Sequence, residues 1–383
     1  MVASTVAWRR GDIFAGAVDP VVVVKGLLSL LALAIALVVV QTRGGHLRQL
    51  GTGTLWFLGI FMTVSAMGAL TYGTLVTSAV LTFRLLVLGS TVFLLLRAAP
   101  ALQVVGALVR SCAAIALLAA MTGVVMAGQE PRLEGGIPPA HPNELALLSS
   151  VVVVWVVARV VVERATWLEA LTAVVLLGVV WATGSRTALI MLVVAVLAMT
   201  VLVRRPRAGL VVGTQCILAV GIIVVYWTGA IVSFGERAPD KGSTLESRFI
   251  AWSAARTWAE SAWQAVFGGG LSVKLIPVKG QWWDQQLLDS TWVSALVQAG
   301  VLGLLVAVVW AIWVLRGVVR APREHRVLFL GLFVFLVGRS LLESGLFDAT
   351  PAFLLFVAVS VTVEGGSRSS LTDPSTPRTA APA

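Results

Sequence analysis

The stretch WATGSRTALIMLVVAVLAMTVLVRRPR, Trp181 to Arg207, sets Gly184, Ser185 and Arg186 at the mouth of an apolar run long enough to cross a bilayer. The first turn of a helix carries unpaired backbone N–H groups and the positive end of the helix dipole. A guanidinium gains little there for itself, but with those N–H groups it makes a good anion site. A planar fork beside free donors suits a phosphate or diphosphate, and Ser185 is placed to cap the same turn. The plainer reading of Arg186 is an interfacial arginine that snorkels to lipid headgroups.

Other charges lie inside apolar runs, where ionisable side chains are functional candidates by default. Arg84 and Arg339 fall towards the same side of the membrane as Arg186, and Glu343 follows Arg339 by four residues, so the two can pair. Arg110 falls nearer the other side and is accounted for by snorkelling. HPNELALL, His141 to Leu148, opens a further run with a polar group; Pro142 suits a first helical turn, and Asn143 and Glu144 are expected to face the same outer cavity as Arg186. The remaining histidines, His46 and His325, belong to the opposite side, so no histidine cluster for zinc is expected and no metal or cofactor is assigned. In QWWDQQLLDSTWVSALVQAGVLGLL, Trp282 and Trp283 read as an interfacial belt, while Asp289 is either an N-cap or a general base for an acceptor hydroxyl.

Hydrophobic residues make up 58% of the 383-residue chain and charged residues only 12%, which excludes an ordinary soluble domain. The expected fold is an all-α polytopic integral membrane protein of about 11 to 12 helices. Eleven runs are assigned, near 20–40, 53–72, 75–96, 102–127, 143–162, 166–183, 186–203, 209–231, 291–315, 326–346 and 349–364. The Val-rich runs lack the alternation of a membrane barrel. The net charge of +10 comes mainly from short arginine clusters on every second connection, a topology signal that puts those loops in the cytoplasm and argues against nucleic acid. This leaves residues 1–19 on the outer side together with Arg9 and Arg10, a conflict that either a re-entrant N-terminal segment or an error in the helix count would explain. Cys112 and Cys216 sit in apolar runs and define no disulfide framework. The chain divides into N-terminal spanning helices (1–231), an extracytoplasmic loop (232–290), C-terminal spanning helices (291–364) and a disordered cytoplasmic tail (365–383). Within the loop, Ser243 and Glu246 form a capping box ahead of one amphipathic interfacial helix that runs to Gly268, with Arg248 one turn before Trp252.

In order, HPNELALL, TGSRTALIMLVVAVL, SRFIAWSAA followed by FGGGLS, and LLDSTWVSALVQAGVLGLL resemble the signature of the O-antigen ligase and Wzy-type O-antigen polymerase superfamily over about 141 to 315. The resemblance implies a GT-C-like glycosyltransferase in the inner or plasma membrane. It implies transfer of a glycan from a polyprenyl-diphosphate-linked oligosaccharide to a glycan or lipid acceptor hydroxyl on the outer face, with no cofactor. Arg186 and Arg248 match the arginines that hold the diphosphate; Arg84 and Arg339 would support it or bind sugar, and His141, Asn143, Glu144 and Ser185 would bind substrate. Ligases carry a histidine where this chain has Asp289-Ser290-Thr291, so Asp289 is left as the base, and burial must raise its pKa. The departure favours a polymerase or another relative over a ligase. Two alternatives remain: an anion transporter, for which related halves would be expected, and an inactive envelope scaffold.

Overall fold

The computed structural model describes residues 1–9, 20–43, 47–126, 132–162, 164–201, 244–278 and 285–364. Its helices are α1 (Val2–Thr5), α2 (Pro20–Arg43), α3 (Gly53–Tyr72), α4 (Leu75–Ala98), α5 (Ala101–Met126), α6 (Pro142–Val161), α7 (Trp167–Ala182), α8 (Arg186–Val201), α9 (Thr244–Arg256), α10 (Ala262–Phe267), α11 (Thr291–Arg320), α12 (Arg323–Ser340) and α13 (Pro351–Val363). Among the described residues, α2, α3, α4, α5, α6 and α11 are long and apolar enough to cross a membrane. The chain is therefore a polytopic membrane protein. Among the described residues α7, α8 and α13 are shorter apolar helices, and α12 carries Arg323, Glu324, Arg326 and Arg339. The expected span at 209–231, the capping box at Ser243, Trp282, Trp283 and the tail lie outside the described residues.

The helices share two ends. At one, which we call the arginine end, Arg43 bonds the Ala98 carbonyl, the Arg48 N–H meets the Arg97 carbonyl at 2.9 Å, and Arg159 pairs with Glu169. There Glu364 accepts from the N–H groups of Gly53 and Thr54, so a carboxylate caps the first turn of α3. The other end gathers the starts of α4, α6, α8, α11 and α13 and is the site end. Every residue of α13 is buried, and it forms the axis of the bundle between α3, α4, α5, α11 and α12. Beside it Trp310 stacks on Phe347 and donates to the Ser360 hydroxyl at 2.9 Å.

Residues 1–9 pack against the bundle. Val2, Ser4, Thr5 and Val6 are buried against α2, α5 and α13, and the Ser29 hydroxyl meets that of Ser4 at 3.1 Å.

Two corrections concern the outer segment. The single amphipathic helix is broken, because Ser261 accepts from the Gln264 N–H and Gln264 accepts from the Glu260 N–H, a reciprocal cap that starts α10 afresh. Its inner face is mixed: Ala251 and Ala255 pack on Val273, Ile276, Leu288 and Val297 with Trp252 and Trp258 partly buried against them, while Phe249 is exposed. The all-α expectation misses one antiparallel pair, β1 (Leu275–Pro277) with β2 (Gln285–Leu287).

The glycine loop after α10 docks into a break in α11. Gly300 has φ 65° and ψ −169°, which frees carbonyls from the helical ladder. Gly269 N–H donates to the Val297 carbonyl at 2.9 Å and Gly270 N–H to that of Gln298 at 3.0 Å, while the Ser65 hydroxyl adds a third bond at 2.9 Å. The orphaned acceptors are thus satisfied away from water, as an apolar setting requires. A Cβ on Gly300 would lie 2.2 Å from the Val266 carbonyl oxygen. Gly300→Ala is expected to lower stability by about 2 kcal/mol or more, because the strain and the clash act together. Gly59→Ala, where nothing lies within 4 Å, is expected to be neutral. Thermal midpoints of the detergent-purified variants check both.

Candidate functional site

Glu343, in the turn after α12, is the hub of the site end. Its Oε1 accepts from Arg248 of α9 at 2.9 Å and from the Asn143 side-chain amide of α6 at 2.8 Å. Its Oε2 lies 3.9 Å from Arg339, which in turn donates to the Asn143 carbonyl at 3.1 Å. The i,i+4 pair expected between Arg339 and Glu343 is therefore present, within a larger network. The backbone of Glu343 is fixed as well: Thr291, at the first turn of α11, donates its N–H and its hydroxyl to the Glu343 carbonyl at 3.3 and 3.0 Å.

Asp289 is not an N-cap. Ser290 occupies that position, and Asp289 instead faces Arg248, with its Oδ2 3.5 Å from the guanidinium Nε. Burial pushes the Asp289 carboxyl above its usual range, Arg248 opposes this, and Glu343 adds to it. That is the direction a carboxylate base needs.

His141 accepts the Asn143 N–H on Nδ1 at 3.3 Å, so a neutral ring carries its proton on Nε2 as a donor. Burial, and then Arg132, push its pKa down, against weaker upward pulls from Glu343, Glu134 and Asp289. At neutral pH the ring is uncharged.

The Ser-Arg turn borders this network through Arg132. Its Nε donates to the Thr183 carbonyl at 2.8 Å and its terminal nitrogen to Asn143 Oδ1 at 3.2 Å. Gly184, with φ 64°, turns the chain, Ser185 is buried just before α8, and Arg186 is exposed at its first residue. Ala146 of α6 packs on Val180 and Ala188, holding the mouth of α8 against the start of α6.

Of the expected residues, Arg248, Asp289, Arg339, Asn143 and His141 come together, with Ser185 and Arg186 at their edge. Two are diverted. Arg84 donates to the Ser4 carbonyl, and Glu144 accepts the Ala7 N–H at 3.2 Å, so both are engaged by residues 1–9 and not by the arginine cluster. Sequence reasoning missed Arg132, an isolated arginine in a loop without periodicity, and saw Glu343 only as a partner for Arg339. No known protein family and no curated protein matches the chain.

The arrangement concentrates three guanidiniums, Arg132, Arg248 and Arg339, around few carboxylates, with Arg186 exposed at the adjoining mouth of α8, beside a neutral histidine donor and a carboxylate of raised pKa. It can bind an anion and accept a proton close by. Glu343→Ala is expected to cost about 3–5 kcal/mol, because it leaves buried arginines without their counter-charge. Asp289→Asn, at a side chain 44% exposed, should cost less than about 1 kcal/mol. Thermal unfolding of the two purified variants distinguishes them.

Proposed function

We propose that the chain is a membrane glycosyltransferase of the O-antigen ligase or Wzy-type polymerase kind, which moves a glycan from a polyprenyl diphosphate to an acceptor hydroxyl. One observation carries the reading: Arg248 and Asp289 meet across 3.5 Å at the same network that Arg132 links to the Ser-Arg turn. A diphosphate leaving group and a proton acceptor have to act together in this chemistry, and here their candidate residues are neighbours.

In the proposed reaction the acceptor oxygen attacks the anomeric carbon from the face opposite the diphosphate, forming the new glycosidic bond as the old C–O bond breaks. The acceptor proton passes to Asp289. The bond electrons leave with the diphosphate, whose growing charge meets Arg186 and Arg248. Neutral His141 offers its Nε2–H to a sugar or phosphate oxygen, and Asn143 and Arg339 hold Glu343 in place. Arg84 and Glu144 have no part in holding the diphosphate. The arginine end faces the cytoplasm on this reading, and the site end the extracytoplasmic side of the inner or plasma membrane.

The test is transfer by the purified, reconstituted protein with host lipid extract that contains polyprenyl-diphosphate glycans. Release of polyprenyl diphosphate by the parent is expected, with a loss of about 10²-fold or more in Arg186→Ala and in Arg248→Ala at equal folded yield. Equal release by parent and Arg186→Ala, or none from the parent in an active extract, would overturn the proposal. The pH profile provides a second check. Asp289 must be charged to act and its pKa is raised, so activity should fall on acidification at a pH above the ordinary aspartate value of about 3.9. An acid limb at or below that value would remove Asp289 as the base.

A further inference from the structure

A second polar group lies beside the arginine cluster and takes no part in it. On α4, Thr77 and Arg84 are seven residues apart, two turns along one face and about 10 Å in rise. At the Thr77 end, the Thr77 hydroxyl donates to that of Ser272 at 2.9 Å, and the hydroxyls of Ser272 and Ser78 are 3.0 Å apart. Asp348 forms an ion pair with Lys274, two residues after Ser272, and its charge reaches Arg84. Lys274 and Asp348 are about one-fifth and one-quarter exposed, so the pair is reachable without being loose. One buried atom on this face, Arg84 Nε, has no hydrogen-bond partner among the described residues. Tyr72, at the end of α3, packs on Trp258 with ring centroids 5.3 Å apart and planes tilted by 52°, and Trp258 lies on Gly269.

We infer that the strip formed by Thr77, Ser272, Lys274, Asp348 and Arg84 binds a carbohydrate chain, and that this chain is the acceptor; its role as acceptor rests on the transferase reading above. The chemistry of the strip selects the ligand. Hydroxyls that both donate and accept alternate with a cation, a carboxylate and a guanidinium, which matches the mixed donors and acceptors of sugar hydroxyls. The charges of Lys274 and Asp348 cancel locally, so the strip lacks the excess of cations that a diphosphate requires. Its length spans about two sugar rings, and the aromatic pair offers an apolar surface for a pyranose face.

The placement also fits delivery to the base. The Lys274 carbonyl accepts the N–H of Leu288, the residue before Asp289, at 3.1 Å. Asp348 lies five residues beyond Glu343, on a turn whose Leu346 N–H is held by the Thr291 hydroxyl at 3.3 Å. A sugar on the strip therefore lies near the segment that carries Asp289.

The experiment uses the full chain in detergent and two probes: inorganic diphosphate, and a soluble oligosaccharide released by mild acid from the surface polysaccharide of the host. Binding is read by tryptophan fluorescence. Asp348→Asn is expected to weaken oligosaccharide binding about tenfold and Ser272→Ala about threefold, with diphosphate binding unchanged; Arg248→Ala should do the reverse. Because Asp348→Asn leaves Lys274 unpaired, the milder Ser272→Ala and Thr77→Val guard against a folding artefact. Oligosaccharide binding unchanged in all three strip variants, or absent from the parent, would overturn the strip as a sugar site. If the parent binds the oligosaccharide through the strip yet releases no polyprenyl diphosphate from active extract, the transferase reading falls and with it the acceptor role, while the sugar site stands.

Discussion

A carboxylate at the mouth of an apolar bundle cannot remain charged alone, and the site end is organised around meeting that requirement for Glu343. Its partners come from three elements: Arg248 from α9, Asn143 from α6 and Arg339 from α12. Each of these is committed further, Asn143 to Arg132 and Arg339 to the Asn143 carbonyl. One buried charge thus fixes the approach of α9 to the starts of α6 and α11. The arginines are held in return, since a guanidinium in such surroundings needs a counter-charge as much as the carboxylate does.

The second constraint is the backbone. Breaking α11 at Gly300 would leave acceptors unsatisfied inside an apolar protein, yet the break is what lets the loop at Gly268–Gly270 sit against the bundle. The two irregularities cancel by exchanging hydrogen bonds, N–H groups of the loop for carbonyls of the broken helix. This docking fixes where α10 ends and the chain to β1 begins. Ser272, Lys274 and, across the strand pair, Asp289 are therefore positioned by glycines that themselves carry no chemistry.

These relations mark the boundary of what the sequence reveals. The apolar runs gave helix positions to within a few residues for α2 through α8, because length and hydropathy are local properties. Thr291 was likewise legible as a helix start. Hydropathy alone does not tell a buried axis from a lipid-facing span in a short apolar helix such as α13. The partners of Glu343 lie 95 and 200 residues away in the chain, and no local pattern carries that information. For the same reason Arg84 and Glu144 were assigned to the arginine cluster: their burial and side were right, but their contacts with residues 1–9 depend on how that segment packs against the bundle. The ion pair of Lys274 and Asp348, 74 residues apart, was invisible for the same cause.

Carboxylates inside an anion site look self-defeating, and donor counting shows why they need not be. Under the transferase reading, the empty site must be stable before substrate arrives, which three uncompensated guanidiniums would prevent. Each guanidinium has five N–H donors, and Glu343 engages only one nitrogen of Arg248 at hydrogen-bond distance. Arg339 keeps an Nε without a hydrogen-bond partner among the described residues. A diphosphate can therefore add to the network through unused donors without displacing Glu343. The carboxylates also temper the attraction, so that the product diphosphate is not held so tightly that release would limit turnover.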